Sequence, residues 1–300
     1  MASDQPHPQG DRGTVRFNSI EWPNNARVAV VLSFALELWE GGSVETGYHD
    51  GAPVEISQEL LSHGYRDPGA ASWQDYGPRR GMPRLLEIAN RNNIPVTAVV
   101  SGLAAHKWPD LMKAVHAGGH ELCAHSYAQE VRAWKLDQAG ERDNIRRCSE
   151  AIEAATGIAP VGWISPSAQP SVHTPDLLKE QGYQWHGDYL DDDSPYFVET
   201  KSGPLVAIPY QLDLNDIKVY IGGKHHPSVY VDWFKSKFDA IYRESAKSGG
   251  MVGATAHAAI YGRPFGSWAV EECIQYAQKY DDVWFASRRQ IAEWIVERYG

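Results

Sequence analysis

Cysteine is scarce: Cys123, Cys148 and Cys273 are the three among 300 residues. Their odd number, wide separation and lack of a CxxC pair argue against a disulfide framework and a zinc ribbon, and suit a reducing compartment. Positive charge is also short, with 28 Lys and Arg against 38 Asp and Glu and a formal net charge of −10. No basic stripe is present, so nucleic acid and anionic membranes are not expected partners. No apolar run approaches the ~18 residues needed to cross a bilayer. Residues 1–26 are polar, rich in Pro, Gly and Asn, and lack the apolar stretch of a secretory signal. A cytoplasmic protein is therefore expected. No linker, charge run or internal repeat divides the chain, and 43% of it is apolar. Residues 1–26 accordingly read as an N-terminal arm and 27–300 as one domain with a substantial core.

What is present is an alternation of strand and helix. RVAVVLSFALE, from Arg27 to Glu37, is almost continuously apolar, as a strand buried on both faces must be. Trp39 to Tyr76 reads as a long loop with turn signals at Gly41-Gly42, Asp50-Gly51 and Asp67-Pro68-Gly69. Helices are then expected over Arg79–Asn92, His106–Ala117, Asp137–Thr156, from Thr174, within Ser228–Lys247, over Ser267–Lys279 and after Ser287. Strands are expected over Ile94–Ser101, His120–His125, Pro160–Ile164, Tyr183–Tyr189, Leu205–Tyr210, Gly250–His257 and Val283–Ala286. Such alternation means an α/β fold with a parallel sheet, and the number of units suggests a closed or nearly closed barrel. No GxGxxG follows the first strand, which weakens a dinucleotide-binding reading.

In a parallel barrel the C-terminal strand ends share one face, and that face carries the site. This sequence puts Glu37, Ser101, His125-Ser126, Ser165, Asp188 to Asp193, Asp213 to Asp216 and His257 at those ends. Asp191–Asp193 also fit a turn, and Asp216 fits a loop brace. His120 lies five residues before His125, hence on the opposite strand face, and reads as structural. His225-His226 sits in a Gly-rich loop, where a solvated pair is the ordinary outcome.

LSFALE, IPVTAVVSG, GGHELCAHSYAQE, DDDSPY, IPYQLDLND and AHAAIYGRP, in that order, resemble the polysaccharide deacetylase superfamily. The similarity runs from about Arg27 to Arg298 and is nearest the metal-independent allantoinase and cyclic imide hydrolase branch. It implies a distorted (β/α)7 barrel and a homo-oligomer, commonly a tetramer. Metal-dependent members carry a catalytic Asp where Ala35 stands, an Asp metal ligand at Glu37, and His-x-x-x-His where His125 is followed by Gln129. The arginine usual after the fourth strand is missing from WISPSAQPS. No tightly bound cofactor is therefore expected; if a divalent ion such as zinc is held, Glu37, His125 and Gln129 are its ligands, short of the usual catalytic set.

Without a strong Lewis acid, acid–base groups supply roughly 10²–10⁴-fold and each oxyanion donor roughly 10²–10³-fold. That suits a cyclic imide or cyclic amide, whose departing nitrogen is stabilised by a neighbouring carbonyl, better than a plain N-acetyl group. The expected base on water is Glu37 or Glu40. His125 and His257 would polarise the carbonyl and protonate the nitrogen, with backbone amides near Ser126 completing the oxyanion pocket. Trp39, Trp73, Tyr76 and Trp163 are candidate walls for a flat ring, or else loop packing. Asp216 and Arg263 are further candidate substrate contacts. The competing readings are a metal-dependent deacetylase of N-acetylated sugars and a catalytically degenerate binding barrel.

Overall fold

Alternation along Val28–Leu36 sorts its side chains by size. Val28, Val30, Leu32, Phe34 and Leu36 join the large core cluster shared with the helices, while Ala29, Val31 and Ala35 join a second cluster of residues from successive strands. Large outward and small inward residues are what a narrow cylinder with an occupied interior demands. Burying a side chain such as Phe34 stabilises the fold by about 1.5–3 kcal/mol.

The computed structural model describes residues 13–40, 68–246 and 248–300. Its strands are β1 (Thr14–Val15), β2 (Val28–Leu36), β3 (Thr97–Val100), β4 (Glu121–Ala124) and β5 (Gly162–Trp163). They continue as β6 (Trp185–His186), β7 (Tyr196–Val198), β8 (Leu205–Ala207), β9 (Gly250–His257) and β10 (Val283–Phe285). The helices are α1 (Pro68–Tyr76), α2 (Met82–Arg91), α3 (Gly102–Lys107), α4 (Pro109–Ala117) and α5 (Gln138–Thr156). They end with α6 (Thr174–Glu180), α7 (Pro227–Glu244), α8 (Pro264–Ala277) and α9 (Arg288–Tyr299). Strands β9, β2, β3, β4, β5, β6 and β8 pair in parallel in that order. The remaining seam carries a parallel bridge between Asn215 and Thr255. The result is the expected distorted barrel, with helices packed on the outer faces of its strands.

Register sets the height of the site. Ala35 pairs with His257, Leu36 with Val100, and Val100 with Ala124. Glu37, Ser101, His125 and His257 therefore leave their strands at nearly the same level of one mouth.

Two local expectations change. The helix expected over His106–Ala117 is two, α3 and α4, because Pro109 has no amide to continue the first and opens the second. Residues 13–26, within the expected arm, pack on the barrel: β1 pairs antiparallel with β7, Ile20 and Trp22 are buried, and Trp22 Nε1 donates to Gly250 O at 2.8 Å. The stretch expected as a loop up to Tyr76 ends in α1, while its earlier turn signals at residues 41–67 lie outside the described residues. Among the described residues no helix is long and apolar enough to cross a membrane.

Candidate active site

Three strand exits bring their polar side chains to one carboxylate oxygen. Glu37 follows the last buried residue of β2, and its neighbour Leu38 is tied by its amide to Ser101 Oγ at 3.2 Å. Ser101 also caps α3, so its hydroxyl serves the scaffold. His125 follows β4. Its Nδ1 lies 2.6 Å from Ile164 O, and because a carbonyl only accepts, Nδ1 carries the hydrogen and Nε2 faces Glu37 Oε1 at 3.3 Å. His257 ends β9, with Nδ1 2.6 Å from Asp216 Oδ1 and Nε2 3.5 Å from Glu37 Oε1. Gln129 completes the ring: its backbone amide donates to Leu38 O at 3.0 Å and its Nε2 to Glu37 Oε1 at 2.8 Å.

These neighbours set the charges. Burial alone would push the His257 imidazole toward neutrality, but Asp216 and Glu37 outweigh it and hold its pKa well above the ordinary histidine value. Burial likewise opposes ionisation of Glu37, yet the charge of His257 and hydrogen bonds from both histidines hold its carboxyl well below the usual range. The centre is thus an ionised carboxylate beside an imidazolium, both out of bulk water.

A cavity of about 290 Å3 opens over this group, lined by Glu37, His125, Gln129 and His257 together with Tyr210 and Thr255. Residues the sequence reading passed over also line it. Ser167 and Ala168 hold left-handed backbone (φ of 60° and 51°) in its wall, a strained conformation that concentrates at functional sites. Ile217 and Lys218, in a wide helical turn directly after Asp216, line another part. The only sequence signal for these was the Pro and Ser punctuation of SPSAQPS and the aspartates of LDLND.

Other expected site residues stand elsewhere. Glu40 is exposed and outside the cavity, its amide donating to Glu130 Oε1 at 3.0 Å, so Glu37 is the carboxylate in place. Ser126 is buried with φ of 63°, and its Oγ bonds the Asn144 side chain at about 3 Å; it shapes the turn and does not line the cavity. Trp163 is buried against Tyr183 with Nε1 on Ser165 Oγ at 2.9 Å, because on a strand it is the next residue, Ile164, that faces the cavity. Asp216 is wholly buried, stands outside the cavity lining and holds His257, so it orients a site residue. The Arg263 guanidinium carbon lies 3.9 Å from the Tyr76 ring centre and 4.1 Å from that of Trp73, a packing on α1 that leaves Arg263 and Tyr76 off the cavity. Trp39 and Trp73 wall an adjoining lobe.

Asp188 braces the exit of β6, accepting from Ser165 N at 2.6 Å and Ser165 Oγ at 2.8 Å, and burial pushes its pKa up to about 6. Asp192 accepts the amide of Ser194 at 3.0 Å, in keeping with a turn. His120 bonds Asn90 Oδ1 at 3.0 Å away from the cavity, as a structural histidine does.

The donor set fits a tightly held metal poorly. Gln129 turns amide hydrogens, not a lone pair, toward Glu37, since a carboxylate with this depressed pKa only accepts. Among the described residues no group of three or more His, Cys, Asp and Glu side chains is placed to hold an ion.

Comparison with known proteins adds kinship to this geometry. Residues 67–186 match the polysaccharide deacetylase family. The chain is 31% identical to a probable polysaccharide deacetylase of Pseudomonas aeruginosa PAO1, covering 93% of this chain and 94% of that one with a TM-score of 0.82. It is 28% identical to the PuuE allantoinase structure, over 99% and 95% of the two chains, with a TM-score of 0.81. It is also 24% identical to the peptidoglycan deacetylase of Helicobacter pylori over 73% of this chain and 84% of that protein.

Proposed function

The chain belongs to the polysaccharide deacetylase family, a hydrolase of carbon–nitrogen bonds other than peptide bonds, and on that premise we propose that it opens a small cyclic imide or cyclic amide. The observation that carries this reading is the pairing of ionised Glu37 with a charged His257 held by Asp216. Glu37 takes a proton from the attacking water. His125, whose Nδ1 hydrogen is committed to Ile164 O, keeps its Nε2 on Glu37 Oε1 and so orients that carboxylate. His257 hands its Nε2 proton to the departing nitrogen, and Asp216 steadies the ring on both sides of the transfer.

The poor fit of the donor set to a metal supports one substrate type over the other. Acid–base catalysis alone supplies roughly 10²–10⁴-fold, which serves an activated ring better than an unactivated N-acetyl group. In a ring imide the charge left on nitrogen spreads into the second carbonyl. The likeness to an allantoinase structure supports the same choice.

The test is a panel of succinimide, hydantoin, dihydrouracil and allantoin beside N-acetylglucosamine oligomers, each with chelator and with added zinc. Ring opening to the half-amide is expected to survive chelation, with no stoichiometric metal in the purified protein. The similarity to a peptidoglycan deacetylase favours one second reading, a metal-dependent sugar deacetylase. Acetate release that depends on zinc, without ring opening, would put that reading in place of ours. A homo-oligomer, tetramer foremost, is part of the proposal and is read by light scattering.

A further inference from the structure

Ring opening passes through a tetrahedral carbon that makes three demands. The incoming water gives up a proton, the departing nitrogen gains one, and the former carbonyl oxygen carries negative charge that needs a donor. Glu37 and His257 answer the first two. Donors for the third are scarce around the cavity. The Gln129 NH2 is spent on Glu37, the His125 Nδ1 hydrogen on Ile164 O, and the amides of Ala168 and Gln169 on Ser165 O and Pro166 O. The Lys218 side chain is exposed.

Tyr210 lines the cavity together with Asn215 and Thr255. Asn215 Oδ1 accepts the Ile217 amide at 2.9 Å, which fixes the side chain so that Nδ2 donates to Tyr210 Oη at 2.8 Å. The phenol oxygen is thus an acceptor toward Asn215, and among the described residues no carbonyl or carboxylate takes its own hydrogen. A hydroxyl that accepts one hydrogen bond donates the next more strongly. Burial raises its pKa and keeps it protonated, while the charges of His257 and of buried Arg288 make that hydrogen easier to share. The height fits as well. Thr255, beside the phenol, and His257 are two residues apart on β9 and share its inward face, about 7 Å from each other. One acyl group can therefore turn its nitrogen to His257 and its oxygen to Tyr210.

We propose that Tyr210 is a catalytic residue whose hydroxyl donates to the oxygen of the acyl group under attack, with Asn215 as its positioning residue. This deepens the ring-opening reading and rests on it, since it needs an acyl carbon beside Glu37. Water oxygen bonds to that carbon as Glu37 takes a water proton, and the carbonyl π pair moves onto the oxygen facing Tyr210. When the pair returns, the carbon–nitrogen bond breaks and its electrons take the His257 Nε2 proton. Glu37 then passes its proton to His257, and Tyr210 keeps its own throughout.

Tyr210→Phe retains the ring and removes the donor. It should lower kcat for ring opening by about 10²–10³-fold with little change in KM and with the limbs of the pH profile unmoved. A folded Tyr210→Phe enzyme with wild-type kcat overturns the assignment while leaving ring opening intact, since the oxyanion is then met by another donor. Asn215→Asp keeps an acceptor for the Ile217 amide but offers the phenol a carboxylate oxygen, which draws its hydrogen away from substrate. Here kcat should fall about tenfold or more with the phenol in place, and wild-type kcat overturns the proposal even where Tyr210→Phe does not fold. Wild type that opens no ring but releases acetate from N-acetylglucosamine oligomers defeats the ring-opening reading alone. Acetate release passes through the same kind of oxyanion, so the two variants then decide on Tyr210 by the same losses.

Discussion

Asp216 holds His257 by two bonds, one from each carboxylate oxygen. Oδ1 takes the ring Nδ1 hydrogen at 2.6 Å and Oδ2 takes the backbone amide of the same residue at 2.7 Å. Ring rotation, tautomer and charge are therefore fixed together, and a third bond from Tyr261 N at 3.2 Å ties the following turn to the same group.

An asparagine at this position cannot repeat the arrangement. With its oxygen on the backbone amide, its NH2 opposes the ring and pushes the hydrogen onto Nε2. Asp216→Asn is expected to lower kcat roughly 10²–10⁴-fold with little change in KM. Unchanged circular dichroism must accompany the loss, and near wild-type kcat in a folded variant would refute the role given to the pair.

The pH profile follows from the two opposed shifts. His257 keeps its proton above the ordinary histidine value of about 6.5, and Glu37 stays ionised below the ordinary carboxylate value of about 4.3. Activity should be level from pH ~4.3 to ~6.5, falling on the alkaline side only above that range and on the acid side only below it. Stability has the same bounds. The His257 contribution is complete below the unfolded histidine pKa and is lost as pH rises through the folded one; the Glu37 contribution is lost as pH falls through its depressed value. A kcat/KM profile from pH 4 to 10 with a limb inside that window would contradict the assignment.

Asp188 works in the other direction. Its carboxyl is raised to about 6, so the folded state holds this proton more tightly than the unfolded chain. The contribution is greatest below pH ~3.9 and declines as pH climbs to the raised value, by on the order of 2–4 kcal/mol. Asp188→Asn keeps an oxygen for Ser165 N and removes the titration, so its stability should fall less than wild type between pH 4 and 7. Parallel denaturation curves for the two proteins across that range would show the expectation to be wrong.

Gly81 lies against the turn that follows His257. A Cβ built there would stand 1.8 Å from Ala258 O, and one on Gly262 would stand 2.2 Å from the same atom. No side chain fits without moving Ala258. Gly81→Ala should cost about 1–3 kcal/mol through overpacking and lower kcat by shifting His257. A melting temperature and kcat both equal to wild type would mean that the turn yields freely.

Glu37, His125 and His257 were legible because parallel strands deliver their last residues to one mouth, and long apolar runs mark those strands plainly. Trp163 was not, because β5 has two residues and its inward face cannot be read from so short a run. The hydroxyl of Ser126 could not be placed from its position beside His125 in sequence, because a left-handed turn carries it to Asn144. Asp216 was seen as polar and near the site, but its service to His257 depends on a contact 41 residues away. Gln129 and the Ser167–Ala168 wall carry no periodic signal at all. They reach the site through loops, whose paths depend on tertiary hydrogen bonds such as Gln129 N to Leu38 O.

The cylinder's seam is its thinnest joint, and Asn215 and Thr255, which bridge it, also form part of the cavity wall. A molecule seated there touches both banks, so occupancy acts as a rivet whether or not any bond is broken. Heat resistance thus becomes a measure of fit, rising with free ligand concentration over Kd. Candidate rings can be ranked by melting alone, including those turned over too slowly to yield a measurable product.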